Sequence, residues 1–381
     1  MPDANTPPDA KASRARPLIA YASAGRPVWT PRDYASLARE GYQKNVVAHR
    51  CIRMIAEAAA SVPLMAVEDG RRLSVHPLLD LVERPNPEQT RSELFEAFYG
   101  HLQTAGNAYM EAASIGGAVR ELFVLRPDRM HVRLSDTGWP AAYDYTVGGR
   151  TVSFPVSRDA APTILHMRLF NPTDDHYGLS PLEAAAVAID VHNATQSWNK
   201  ALLDNAARPS GALVHSGGEG ARELTDAQFD RLKQELEDMF QGGANAGRPL
   251  LLDGGLDWRQ MALSPTDMDF ISAKNSAARD IALAFGVPPM LLGIPGDNTY
   301  SNYREANLAF WRLAVAPLAE KAASAISKWL GPAFGGVELQ CDLDALDALS
   351  SERDARWRRI ASADFLTDAE KRRLLKIDGE G

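Results

Sequence analysis

Eight histidines and two cysteines are the residues of this 381-residue chain best suited to metal binding or nucleophilic chemistry, and their spacing supports neither. His49, His76, His101, His131, His166, His176, His192 and His215 form no H-E-x-x-H pair, and Cys51 and Cys341 supply no C-x-x-C. Neither a metal nor a cofactor is therefore expected. The two cysteines lie far apart in a chain with no secretory apolar core, so they read as buried small hydrophobes rather than a disulfide. Gly217-Gly218 and the glycine-rich run at 242–247 lack the Lys-Ser/Thr that follows a phosphate-cradling loop, and no G-x-S-x-G elbow is present. Asp174-Asp175-His176 sets carboxylates beside an imidazole and could serve a hydrolase or transferase. It falls between a strand and a capped helix, where acids and histidines commonly serve turns, and a solvated polar turn is the stronger reading. The expectation is a non-enzyme with no catalytic residue.

A second polar concentration, Asp297, Asn298, Thr299, Tyr300, Ser301, Asn302 and Tyr303, fits two readings equally. One is a surface connection rich in turn formers; the other is a flexible, hydrogen-bonding finger that touches a polymer without gripping it. Its flanks are more telling. Gly286 suits a helix C′ position, Pro288 and Pro289 forbid continuation, and Pro317 should kink the following helix by removing the bond to the Leu313 carbonyl. This describes a mobile loop mounted between two helices, machinery for moving or gating something rather than for bond chemistry.

Composition limits what surrounds the loop. With 45% hydrophobic and 24% charged residues the chain can build a sizeable core, and it has no apolar run long enough for a membrane span. A net charge of −8 argues against a tight nucleic-acid binder, without excluding a protein past which DNA slides. The first 30 residues, rich in proline, read as a disordered arm. Helical periodicity follows from Val46 to a stop before Pro63, at Pro77–Val82 and at Glu93–Ala105. Strand-like runs lie at Leu64–Val67, Ala108–Ala113, Glu121–Leu125, Met130–Leu134, Tyr143–Val147 and Thr163–Met167. The fold class is α+β with a mostly antiparallel sheet. From Ser180-Pro181-Leu182-Glu183, a capping box, a long helix should run to Ala207. A small α/β insertion follows, with strands at Ala212–Val214, Leu250–Leu252 and Leu256–Trp258 around a helix from Thr225. Further helices should start at Ser264 and Asn302, the last stopping at Gly331-Pro332.

Several motifs, taken in order, resemble the portal proteins of tailed phages of the Hong Kong (lambdoid) capsid lineage. They are Leu78–Pro87, Thr104–Tyr109, Tyr177–Leu182, Asn205–Gly211, Phe285–Pro289 with Leu292-Gly293, and Thr299–Asn302. A C-terminal signature adds Asp342, Asp344, Arg353, Leu366-Thr367, Glu370 and Arg373. The resemblance covers residues 40–375, and the short C-terminal segment is also similar to the portal of a bacterial gene transfer agent, a domesticated phage-like particle.

The resemblance implies a wing (30–179) after the arm (1–29), stem helices (180–208 and 265–293) and a clip (209–264). It also implies a tunnel loop (294–304), a kinked wing helix (305–336) and a short helical crown (337–381). It implies a ring of about twelve subunits at one capsid vertex of a virion or phage-like particle, passing double-stranded DNA without sequence specificity. Implied partners are the terminase large subunit, a head–tail adaptor and the major capsid protein, with no membrane. Lys200, Lys274 and Arg279 are candidate DNA-facing stem cations, against solvated helix charges or intersubunit ion pairs.

Overall fold

A computed structural model describes residues 29–156, 162–204, 211–215, 231, 256–260, 270–296 and 300–375. The expected N-terminal arm lies outside them. Helix α1 (Tyr34–Leu37) runs into a π-helical turn (Ala38–Gln43), and α2 (Val46–Ser61) follows. Asn45 caps α2 by accepting from the Val47 and Ala48 amides at 3.1 and 3.0 Å. Its buried residues Ala48, Cys51, Ile52, Ile55, Ala56, Ala59 and Ala60 recur every three or four positions, so one stripe faces the core. That stripe meets α4 (Arg91–Ala105), which follows α3 (Pro77–Glu83) and begins at a capping box between Thr90 and Glu93. Leu94, Phe98 and Leu102 on α4 are fully buried, each contributing about 1.5–3 kcal/mol of apolar transfer.

Where one mostly antiparallel sheet was expected for the body, its described strands form three small sheets, and the insertion's strands form a fourth as expected; all four are antiparallel. Strand β1 (Leu64–Glu68) pairs with β2 (Arg71–Leu73); β3 (Asn107–Ile115) lies between β4 (Ala118–Leu125) and β8. A third sheet joins β5 (Met130–Leu134), β6 (Pro140–Val147) and β7 (Arg150–Pro155), and β8 spans Ile164–Arg168. Register shifts at Ala113/Ser114 and Arg133/Leu134 bend the ladders, which favours short sheets over a continuous one.

The expected long stem helix is broken near its start, giving α5 (Pro181–Ala184) and α6 (Ala186–Asp204). Ser180 caps as expected, its Oγ accepting from the Glu183 amide at 2.9 Å, but the Glu183 side chain does not return to complete a box. In the insertion β9 (Gly211–His215) pairs with β10 (Leu256–Gln260), matching two of the expected strands. Leu250–Leu252 and the start of the next helix at Ser264 lie outside the described residues, as does the helix from Thr225 apart from Arg231, which is helical. Helix α7 (Phe270–Phe285) packs against α6. The next helix, α8 (Tyr300–Phe310), starts two residues before the expected Asn302, because neither glycine nor proline interrupts the chain from there. A π-helical turn (Trp311–Val315) leads into α9 (Ala316–Leu330).

Beyond α9 the chain turns back to the first sheet. β11 (Glu338–Cys341) returns to pair with β1, Leu64 opposite Cys341 and Val67 opposite Glu338, so β1 is the central strand of its sheet. Helices α10 (Ser350–Ala361) and α11 (Asp368–Leu374) follow. One continuous core joins α2, α4, β3 and β8 to Leu182 of α5 and Ile189 of α6, to Ile281 and Phe285 of α7, to Val315 of the π turn and to Ile326 of α9. Both cysteines are free and buried within it, as expected, and burial pushes each thiol up to about 12.

Candidate functional site

The start of the α5–α6 helix pair is anchored where two of the sequence motifs meet. Gly106 ends α4 in the left-handed region at φ 70°, and a Cβ there would lie 2.4 Å from the Gly178 carbonyl oxygen. A Cβ on Gly178 would in turn lie 2.1 Å from the Gly106 carbonyl oxygen. Main chain packs on main chain, which only glycine permits. Asn107 fastens the contact, its Oδ1 accepting from the Gly178 amide at 2.9 Å and from His166 Nε2 at 3.0 Å. Ser180, two residues on, caps α5, so the start of the α5–α6 helix pair is fixed to the end of α4. A second fastening lies further along α6: Asn45 Nδ2 donates to Asn193 Oδ1 at 2.9 Å and to His192 Nδ1 at 3.1 Å. His192 is 1% exposed, and burial together with the nearby Lys274 ammonium lowers its pKa.

The loop mount begins at the end of α7. Gly286 has φ 68°, the Val287 amide donates to Ala282 O at 2.9 Å and the Gly286 amide to Leu283 O at 3.0 Å, the paired bonds of a Schellman cap. Pro288 opens a 3₁₀ turn (Pro289–Leu292) closed by left-handed Gly293, in keeping with the expected stop. Ile294 then buries itself against Ala278 and Ala282 of α7. The Arg279 guanidinium donates to the Pro295 carbonyl. Asp297, Asn298 and Thr299 lie outside the described residues. Tyr300, Ser301, Asn302 and Tyr303 are helical, which corrects the expected loop boundary, and Tyr303 is 52% exposed.

Pro317 also takes a different place from the one expected. It sits in the first turn of α9, where a missing amide costs least, and the winding has already changed in the π turn at Trp311–Val315. The three candidate cations of α6 and α7 meet different surroundings. Lys200 is exposed on α6, Lys274 is half-buried next to His192, and Arg279 supports the loop base. Arg279 was a candidate DNA-facing cation set against a solvated helix charge, and its bond to Pro295, a contact across 16 residues, leaves no local pattern.

The Asp174–His176 turn is structural. Asp174 Oδ1 accepts from the His176 and Tyr177 amides at 2.7 and 2.9 Å, and those bonds lower its pKa, leaving an acceptor rather than a proton donor. The adjoining cleft, lined by Trp139, Tyr143, His166, Arg168, Asp175 and His176, contains no serine or cysteine nucleophile. Among the described residues no three His, Cys, Asp or Glu gather as a metal site, and no helix is long and apolar enough to cross a membrane.

The described residues combine paired long helices with a turn at 174–176 that braces main chain. The family model for phage portal protein matches residues 46–375. A protein of Rickettsia bellii, described only as uncharacterized, is 42% identical and covers 89% of this chain and 88% of its own length. The portal protein of Enterobacteria phage HK97 is 27% identical over 85% of this chain and 76% of the phage protein. A chain in the solved neck of an empty gene transfer agent particle, with C6 symmetry, is 54% identical with a TM-score of 0.72, covering 92% of this chain and 95% of that one. The corresponding neck of the native particle, with C12 symmetry, gives a TM-score of 0.70 at the same identity.

The chain belongs to the phage portal protein family. It is a non-catalytic particle component, and the hydrolase or transferase reading of Asp174–His176 is not supported.

Proposed function

We propose that twelve copies of this chain close into a ring at one vertex of a gene transfer agent or phage-like particle, and that double-stranded DNA is packaged and ejected through it. The C12 and C6 symmetries of the similar particle necks support a ring. The observation that carries the reading is the mount of the 295–303 segment. Ile294 and Arg279 pin one end to α7, while the other end enters α8 directly. A short segment is thereby offered between two helices, as a loop touching passing DNA requires. The insertion at 209–264 is assigned to docking the terminase large subunit and then the head–tail adaptor, and the wing to contact with the major capsid protein. Twelve copies at −8 each would carry a formal −96, a poor match for tight phosphate binding and a good one for passage.

Deleting Asp297–Thr299 tests this while leaving the helical Tyr300 in place. Rings sized by light scattering should persist, and DNA per particle should drop. Normal DNA content in rings with the deletion would refute the loop's role.

A further inference from the structure

The segment Ser350–Leu375 runs against the charge of the rest of the chain. It holds seven Arg and Lys against five Asp and Glu; with 41 and 49 in the whole sequence, the remainder is left at 34 against 44, a net −10. Three of its five acids are occupied: Glu352 pairs with Arg312 at 3.2 Å, Asp354 with Arg353 at 3.5 Å, and Glu370 closes a capping box with Thr367. Among the described residues Arg358, Arg359, Arg372 and Arg373 form no ion pair, and all four are exposed.

Two hydrogen bonds hold the helices that carry them side by side. Arg356 Nη2 donates to Leu374 O at 2.7 Å, and Lys371 Nζ donates to Ala361 O at 3.1 Å. The C-terminal turn of α11 therefore lies alongside residues 356–361 of α10, placing the two arginine pairs within roughly 10 Å along the helices. Trp357 and Phe365, 42% and 86% exposed, stand on the same hairpin, and neither helix buries a residue. Cations in a last helical turn complement the dipole, but that leaves two exposed aromatic rings unexplained.

We propose that the α10–α11 hairpin binds the phosphate backbone of duplex DNA without sequence preference. Arg358, Arg359, Arg372 and Arg373 contact phosphates, and Trp357 and Phe365 cover the apolar faces of neighbouring sugars. The choice of DNA as the polyanion rests on the function proposed above; the hairpin itself selects closely spaced negative charge.

Anisotropy of a labelled duplex, titrated with the full-length protein over a range of salt, tests it. The variant Arg358→Gln/Arg359→Gln/Arg372→Gln/Arg373→Gln should bind at least about tenfold more weakly at low salt. Its log–log salt slope should shrink by about 3.6, or ~0.9 per lost contact. Trp357→Ala/Phe365→Ala should weaken binding with the slope kept. Circular dichroism matching wild type keeps misfolding out of the comparison. An unchanged slope in the arginine variant overturns the proposal. So does unchanged DNA binding with loss of rings in light scattering, which makes the hairpin a contact between copies. The slope can be read whether or not rings form, so failure here is separable from failure of the ring itself.

Discussion

Arg279 of α7 donates to the carbonyl of Pro295, tying the base of the 295–303 segment to a helical residue sixteen positions earlier. The side chain is exposed, so the bond contributes about 0.5–1.5 kcal/mol locally and little to global stability. Arg279→Ala should leave the melting temperature nearly unchanged and speed proteolytic cleavage near residue 296. Gly296→Ala should do the same from the other side, because its Cβ would lie 2.9 Å from the Arg279 guanidinium. Equal cleavage rates in wild type and both variants would show that the bond does not restrain the loop.

The Gly106–Gly178 contact should tolerate no side chain. Gly178→Ala places a methyl group 2.1 Å from main chain that cannot move aside, and Gly106→Ala adds left-handed strain. Each is expected to destabilise by about 3 kcal/mol or more, the range of severe core lesions. Gly70→Ala, also at positive φ but with nothing within 4 Å, is the control for backbone strain alone. Thermal melts in which all three fall equally would remove the steric argument.

Acidification should weaken the fold well above the range where carboxylates protonate. Burial first, with Arg168 and His176 adding to it, pushes the His166 imidazole down to about 3. Burial, with Arg126 second, pushes His101 to about 4. An unfolded histidine titrates near 6.5, so below that pH the unfolded chain takes up protons that the folded chain refuses. Stability is full above about pH 6.5 and falls toward pH 4, by up to about 1.4 kcal/mol per pH unit for each histidine. Melting temperatures that stay flat from neutral pH down to about pH 5 would contradict this.

At the 174–176 turn the carboxylate and the imidazole should separate cleanly. Asp174→Ala removes two main-chain hydrogen bonds and should cost about 1–2 kcal/mol. His176→Ala should leave melting and ring assembly near wild type. A larger loss from His176 than from Asp174 would reverse the structural reading of the turn.

Elements with local signals were legible in the sequence. Ser180 and Gly286 announced helix ends that the structure places there. What escaped reading depends on residues distant in sequence. β11 has only four residues and gains its identity from β1, and the exposed alternation in β7 carries little apolar signal. Arg279 looked like any solvated helix cation, and Pro317 looked like a kink because nothing local to it announces the preceding π turn. The motif Gly106-Asn107 was visible as a pattern, but its reason, a main-chain contact with Gly178, required the two segments to be brought together.

The pairing of Leu64–Val67 with Glu338–Cys341 imposes an order on synthesis. A nascent chain presents β1 as an open edge for as long as the intervening residues are being translated, and open edges recruit other strands. Only once residue 341 has left the ribosome can that sheet close, so subunits cut short before it carry an adhesive edge at one side of the fold.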